Sequence, residues 1–142
     1  MSSARTGDML VARFKAGENV HASILELCRS HRVEGGFIVS GIGALADPVI
    51  GYFSDHGNYV TREIPGIHEC LSLTGNLSIK DHELMAHLHV IMSDVEFRAF
   101  GGHLVKARVG VTLELAISIV GEPVRMYREI EPETGLPSLK IE

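Results

Sequence analysis

The chain has 142 residues, 45% of them hydrophobic and 22% charged, which is globular usage and excludes a disordered polymer. Thirteen Lys and Arg against eighteen Asp and Glu give a formal charge of −5, a poor match to the phosphate backbone of nucleic acid, whose binders concentrate basic side chains. No apolar run is long enough to span a membrane, and Met1-Ser2-Ser3-Ala4-Arg5-Thr6 lacks the apolar stretch of a signal peptide, so a cytoplasmic location with no membrane partner is expected.

One domain is expected over 1–142, with a core at about 9–120 and a C-terminal tail at 121–142. Asp8 to Lys15 reads as an opening strand that Gly17 breaks. From Glu18 to His31, Val20, Ile24, Leu27 and Cys28 recur at helical spacing and predict one apolar helix face, ended by Gly35-Gly36. Phe37 to Ile42 is a short apolar run and predicts a buried strand. Val49 to Phe53 and Tyr59 to Ile64 flank Asp55-His56-Gly57-Asn58, a hairpin pattern. Cys70 to Ile79 alternates, with Leu71, Leu73, Leu77 and Ile79 on one side and Ser72, Thr74, Asn76 and Ser78 on the other. Leu84 to Met92 is another strand, and Val109 to Val120 a long one carrying Val111, Leu113, Leu115, Ile117 and Ile119 on one face. The segment from Glu122 onward is polar, with Pro123, Pro132 and Pro137 and a short strand around Arg125 to Glu129. One helix with six to eight strands argues for an α+β fold with a mainly antiparallel mixed sheet. A single helix leaves part of such a sheet uncovered, so its apolar surface is expected to be buried by self-association.

Cys28 and Cys70 belong to no C-x-x-C pair and read as reduced apolar fillers. His87-Leu88-His89 is more informative. On a strand, residues two apart share a face, so both imidazoles project together while Leu88 and Val90 enter the core. If residues 94–100 form a hairpin turn, His103 returns beside that pair. Three imidazoles with one open position are the ligand set of a catalytic-type site for zinc or another divalent transition metal. The competing reading is three surface histidines on a solvated strand, with Gly101-Gly102 serving only a bulge or turn. Glu69 and Glu114 are weaker candidates for a catalytic role, each able to orient a ligand histidine or act as a base, with an ordinary solvated position the favoured reading of each. Gly41-Ile42-Gly43-Ala44-Leu45-Ala46 fits G-x-G-x-x-A, but Asp47-Pro48 and a strand follow where a dinucleotide site needs a helix; a tight bend lining a pocket is expected instead.

The succession Gly41-Ile42-Gly43-Ala44, Gly51-Tyr52-Phe53, Leu71-Ser72-Leu73-Thr74-Gly75-Asn76, His87-Leu88-His89-Val90, Ser93-Asp94 and Gly101-Gly102-His103-Leu104 resembles the Plants and Prokaryotes Conserved (PPC) domain family, from about Met9 to about Val120. Phe97 departs from the family, which usually has glycine in the turn before Gly-Gly-His. The resemblance implies an α+β homotrimer whose prokaryotic members can hold a metal, with His87, His89 and His103 at the matching positions. Plant members join the domain to AT-hooks with an Arg-Gly-Arg-Pro core, and no such run occurs in these residues. The expected function is therefore a metal-containing trimer that binds a small-molecule ligand. The alternative is a regulatory module that docks on protein partners, with weak or absent direct DNA binding.

Overall fold

The computed structural model describes residues 1–55 and 58–142. Among them the strands are β1 (Ser2–Thr6), β2 (Met9–Lys15), β3 (Gly36–Asp55), β4 (Asn58–Glu63), β5 (Ile67–Lys80), β6 (Glu83–Ser93), β7 (Ala99–Ile119), β8 (Met126–Ile130) and β9 (Pro137–Ile141), with one helix, α1 (Val20–Ser30). The protein is thus mostly sheet with a single short helix. Every strand pair is antiparallel except the contact of β5 with β8, at Ile79 and Tyr127, which makes the sheet mixed.

The helix forms where its spacing predicts. Asn19 caps it, its Oδ1 accepting the Ala22 backbone N–H at 2.9 Å, and Val20, Ile24, Leu27 and Cys28 are all buried. It stops short of Gly35-Gly36, with His31 as its C-cap.

Two long strands, β3 and β7, replace the three shorter strands predicted at Phe37 to Ile42, Val49 to Phe53 and Val109 to Val120. β3 runs unbroken through Gly41 to Ala46, so the expected tight bend is absent, and bulges absorb the change of direction. The glycines there serve close packing instead. A Cβ on Gly41 would lie 2.7 Å from Leu73 Cβ, and one on Gly43 2.0 Å from the Thr112 carbonyl oxygen. Nor is β3 buried throughout: Ile38 is, whereas Phe37, Val39 and Ile42 face outward. The β3–β4 hairpin pairs as expected, but its turn residues His56 and Gly57 lie outside the described residues.

β3 pairs with β5, β5 with β6, β6 with β7 and β7 with β3, closing a circuit of four strands. Leu45, Leu73, Leu77, Leu88, Leu104 and Leu113 fill its inner side, and the α1 face joins the same core. Register shifts displace two predicted core residues. A shift between Cys70 and Ser72 turns Cys70 inward and leaves Leu71 half exposed. On β7, Leu113 and Val109 pair with Gly43 and Leu45, so the extra residues bow outward and expose Val111.

β1 and β9 have no counterpart in the sequence reading. The expected polar tail is a β8–β9 hairpin that buries Met126 and Arg128. Both cysteines are buried and free, and burial pushes their thiols up to about 12 for Cys28 and about 11 for Cys70.

The β6–β7 turn is closed by Asp94, whose Oδ1 accepts the backbone N–H groups of Glu96 and Arg98 at 3.0 Å each. Phe97 sits in that turn at φ +62°, with its side chain 90% exposed. A left-handed backbone costs a residue with a Cβ roughly 1–2 kcal/mol, and the exposed ring recovers little by packing. Phe97→Gly is therefore expected to stabilise the protein by about 0.5–1 kcal/mol after the entropy of the added glycine is counted. Denaturant unfolding checks this, and an unchanged or lowered midpoint contradicts it.

Candidate metal centre

The geometry of the centre follows from the β6–β7 pairing. His89 and His103 are direct cross-strand partners, and their rings therefore lie side by side on the outer face. His87 shares that face two residues along β6, while Leu88 and Val90 between and beyond the histidines are buried. Ring centroids are 5.1 Å apart for His87 and His89, 5.0 Å for His87 and His103, and 5.4 Å for His89 and His103. One nitrogen from each ring lies within 4.8 Å of the other two. Ligand nitrogens on one ion with bonds near 2.0–2.1 Å lie within about 4.2 Å of one another, so the three rings would draw together to act as a donor set for a tetrahedral site with one open position, and His87 would do so at the expense of its Arg128 contact.

Neighbours complete the surroundings. Asn76 opposes His87, and Thr74 opposes His89, across β5 and β6. The Tyr59 ring meets His103 edge-on at 6.0 Å, and burial raises its hydroxyl pKa. A depression of about 440 Å³, lined by Ser72, Thr74, Ile91, Phe100 and others, opens beside His89, the most exposed of the three rings.

The sequence reading missed Arg128. It stands on β8 and is only 8% exposed, beneath the end of the tail hairpin. Its Nε donates to Ser78 Oγ at 3.1 Å, Nη1 to the Pro137 carbonyl, and Nη2 to Asn76 Oδ1 at 2.7 Å and to His87 Nδ1 at 3.1 Å. All four acceptors are uncharged. No feature near Arg128 in the sequence signals this, because three of its partners lie 41 to 52 residues away.

Glu69 and Glu114 are exposed and fall outside the cluster. Glu114 lies on the same strand as His103, opposite Arg13 and Ile42 and eleven residues farther on, a separation on the order of 30 Å at strand spacing. Glu69 pairs with Ser93 and Ala44, toward the other end of β5 from Asn76. Among the described residues no carboxylate bonds to the three rings or to Arg128.

Burial lowers the pKa of His87 to about 4, helped by the Arg128 charge and then by His103 and His89. His103 is lowered by burial and then by His89, His21 and Arg128, and His21 by burial.

Comparison with known proteins places this arrangement in context. The model of the Plants and Prokaryotes Conserved (PCC) domain matches residues 1–121. A plant- and prokaryote-conserved protein from Pyrococcus horikoshii is similar at 33% identity and TM-score 0.83, over 98% of this chain and 93% of that one. The metal-containing protein AF0104 from Archaeoglobus fulgidus is similar at 31% identity and TM-score 0.82, over 94% of each chain. A Bacteroides thetaiotaomicron protein provisionally described as DNA-binding superposes with TM-score 0.90 over 98% of this chain and 96% of that one; at 23% identity it shows the fold alone. A bifunctional GlmU protein from a Synechococcus strain is 28% identical over 96% of this chain, which spans only 21% of that protein's length.

The depressed histidines make the metal-free protein sensitive to acid. Below the ordinary histidine value of about 6.5, the unfolded chain takes up protons that the folded rings refuse. The stability they contribute is complete above that pH and is lost as pH falls through about 4. Thermal melts of the metal-free protein between pH 7.5 and pH 4 should show this decline, smaller in His87→Gln; a wild-type stability flat across the window would contradict it.

Proposed function

The chain belongs to the Plants and Prokaryotes Conserved domain family, and from that premise we propose that His87, His89 and His103 form a metal centre that binds a small ligand. The observation that carries this reading is the convergence of three ligand-type nitrogens, from two strands, within 4.8 Å of one another. The all-nitrogen donor set favours zinc or another divalent transition metal, which imidazole suits better than it suits calcium or magnesium. The description of the Archaeoglobus relative as metal-containing supports the same assignment. When bound, such an ion supplies Lewis acidity at an open coordination position. The chain's own residues do the rest: His87 and His103, partly buried, set the ring positions, and His89 opens onto the depression through which a ligand enters.

We take the functional unit to be the whole of 1–142, because Arg128 brings the tail onto the centre. We also propose a homotrimer. Phe37 and Ile42 on β3, Val11 on β2 and Ile91 on β6 present apolar side chains to solvent, and self-association would cover them. A cytoplasmic setting suits two free, buried cysteines, and no described helix is long and apolar enough to cross a membrane. Direct DNA binding by this chain is weak in this reading, given the −5 charge.

Two measurements test these proposals. Elemental analysis of untagged protein should find metal in the wild type, with His87→Ala and His103→Ala each lowering affinity by about tenfold or more. Equal metal content in all three would remove the centre. Light scattering should give a particle of three times the 15.5 kDa chain mass, and a stable species of one chain would remove the trimer.

A further inference from the structure

The guanidinium of Arg128 has five N–H groups and no acceptor. Four of them are used, on Ser78 Oγ, the Pro137 carbonyl, Asn76 Oδ1 and His87 Nδ1. The last contact is a hydrogen bond only while Nδ1 of His87 keeps its lone pair, so a neutral His87 carries its proton on Nε2.

This arrangement conflicts with His87 acting as a ligand. A neutral imidazole has one unprotonated nitrogen. If that nitrogen is Nδ1, coordination consumes the lone pair that Arg128 uses. If coordination is through Nε2, the proton moves to Nδ1 and a donor then faces a donor. By either route Arg128 loses the acceptor. A buried N–H is left unpaired, on a charged group with no carboxylate partner among the described residues, beside a newly arrived dication. Both an orphaned buried donor and an uncompensated buried charge are costly, and one small anion relieves both.

We propose that the loaded centre takes a small oxyanion, a carboxylate or phosphate group, gripped between the open coordination position and the Nη groups of Arg128. The inference rests on the metal reading above and adds the class of ligand. Two N–H groups are then free to hold the anion: the one His87 releases on Nη2, and the one on Nη1 that bonds to no other described residue. A two-pronged donor of this kind is what arginine offers to carboxylate and phosphate and lysine does not. Metal and anion are consequently coupled, because the first frees the group that holds the second.

The test uses the full-length protein, metal-free and loaded with cobalt(II), titrated calorimetrically with inorganic phosphate and, separately, with acetate. The visible spectrum of the cobalt form is followed in parallel. Phosphate or acetate should bind the loaded wild type about tenfold or more tightly than the metal-free wild type and should perturb the cobalt bands. Arg128→Met should take up cobalt but lose that gain, and Arg128→Lys should recover only part of it. The preference between phosphate and acetate distinguishes tetrahedral from planar oxyanions. A loaded wild type that binds neither anion, equal anion affinity with and without cobalt, or an undiminished gain in Arg128→Met would each overturn the proposal. The first two outcomes come from the wild type alone, so the result stands even if a variant fails to fold. A wild type that takes up no cobalt instead sinks the metal reading, and the elemental analysis identifies that case.

Discussion

The opposition of His89 and His103 across β6 and β7 is the constraint on which the centre depends. Strand periodicity is two, so a slip of one residue would send His103 into the core and Leu104 to the surface. Two features hold the register. The Asp94 side chain closes the turn through residues 94–98 on backbone N–H groups, fixing where β7 begins. Gly101 then lets β7 approach so closely that a Cβ there would lie 2.1 Å from the Val90 carbonyl oxygen. His87 needs no separate device, since the pleat of β6 places it beside His89.

The closed pairing of β3, β5, β6 and β7 explains why the histidines look outward. A ring of strands has one inside, and leucines fill it together with one face of α1. Every other residue of each strand must then face away from that core. Where such positions are apolar, as at Phe37, Ile42 and Ile91, they leave large apolar side chains exposed. Where they are polar and opposite one another, as at Thr74 and His89 or Asn76 and His87, they form a site. The exposed apolar positions and the histidine cluster thus draw on the same geometric property of the sheet, at different places.

How much of this the sequence discloses varies with the range of the interaction. The α1 periodicity and the pairing of His87 with His89 are local, and both are legible from spacing. His103 is legible because only a short turn separates β6 from β7. β1 is not, because all five of its residues are exposed and carry no apolar alternation. Leu71 and Val111 are misplaced by a period-two reading because bulges shift the register, and a bulge is set by the partner strand rather than by the residue itself. The glycines of 41–43 suggest a bend to a reader of one strand; their role appears only once Leu73 and Thr112 are seen packed against them. Arg128 is the extreme case, one of three cations in a proline-bearing tail, whose burial depends on residues far away in sequence.

Arg128 also bears on what kind of site this is. A side chain acting as general base must stand within hydrogen-bond reach of the water it activates, directly or through one further water. Glu69 and Glu114, the carboxylates the sequence offers for that role, stand apart from the cluster, and the group that does reach it is a cation. Three neutral rings, an arginine and a metal ion would sum to a strongly positive pocket within a chain of net negative charge. A pocket of that charge would hold an anion, a metal-bound hydroxide as readily as an oxyanion ligand. The family model ends at residue 121, while Arg128 lies on the hairpin beyond it. The histidines therefore lie within the span that the family model matches, and the guanidinium that contacts His87 lies outside it.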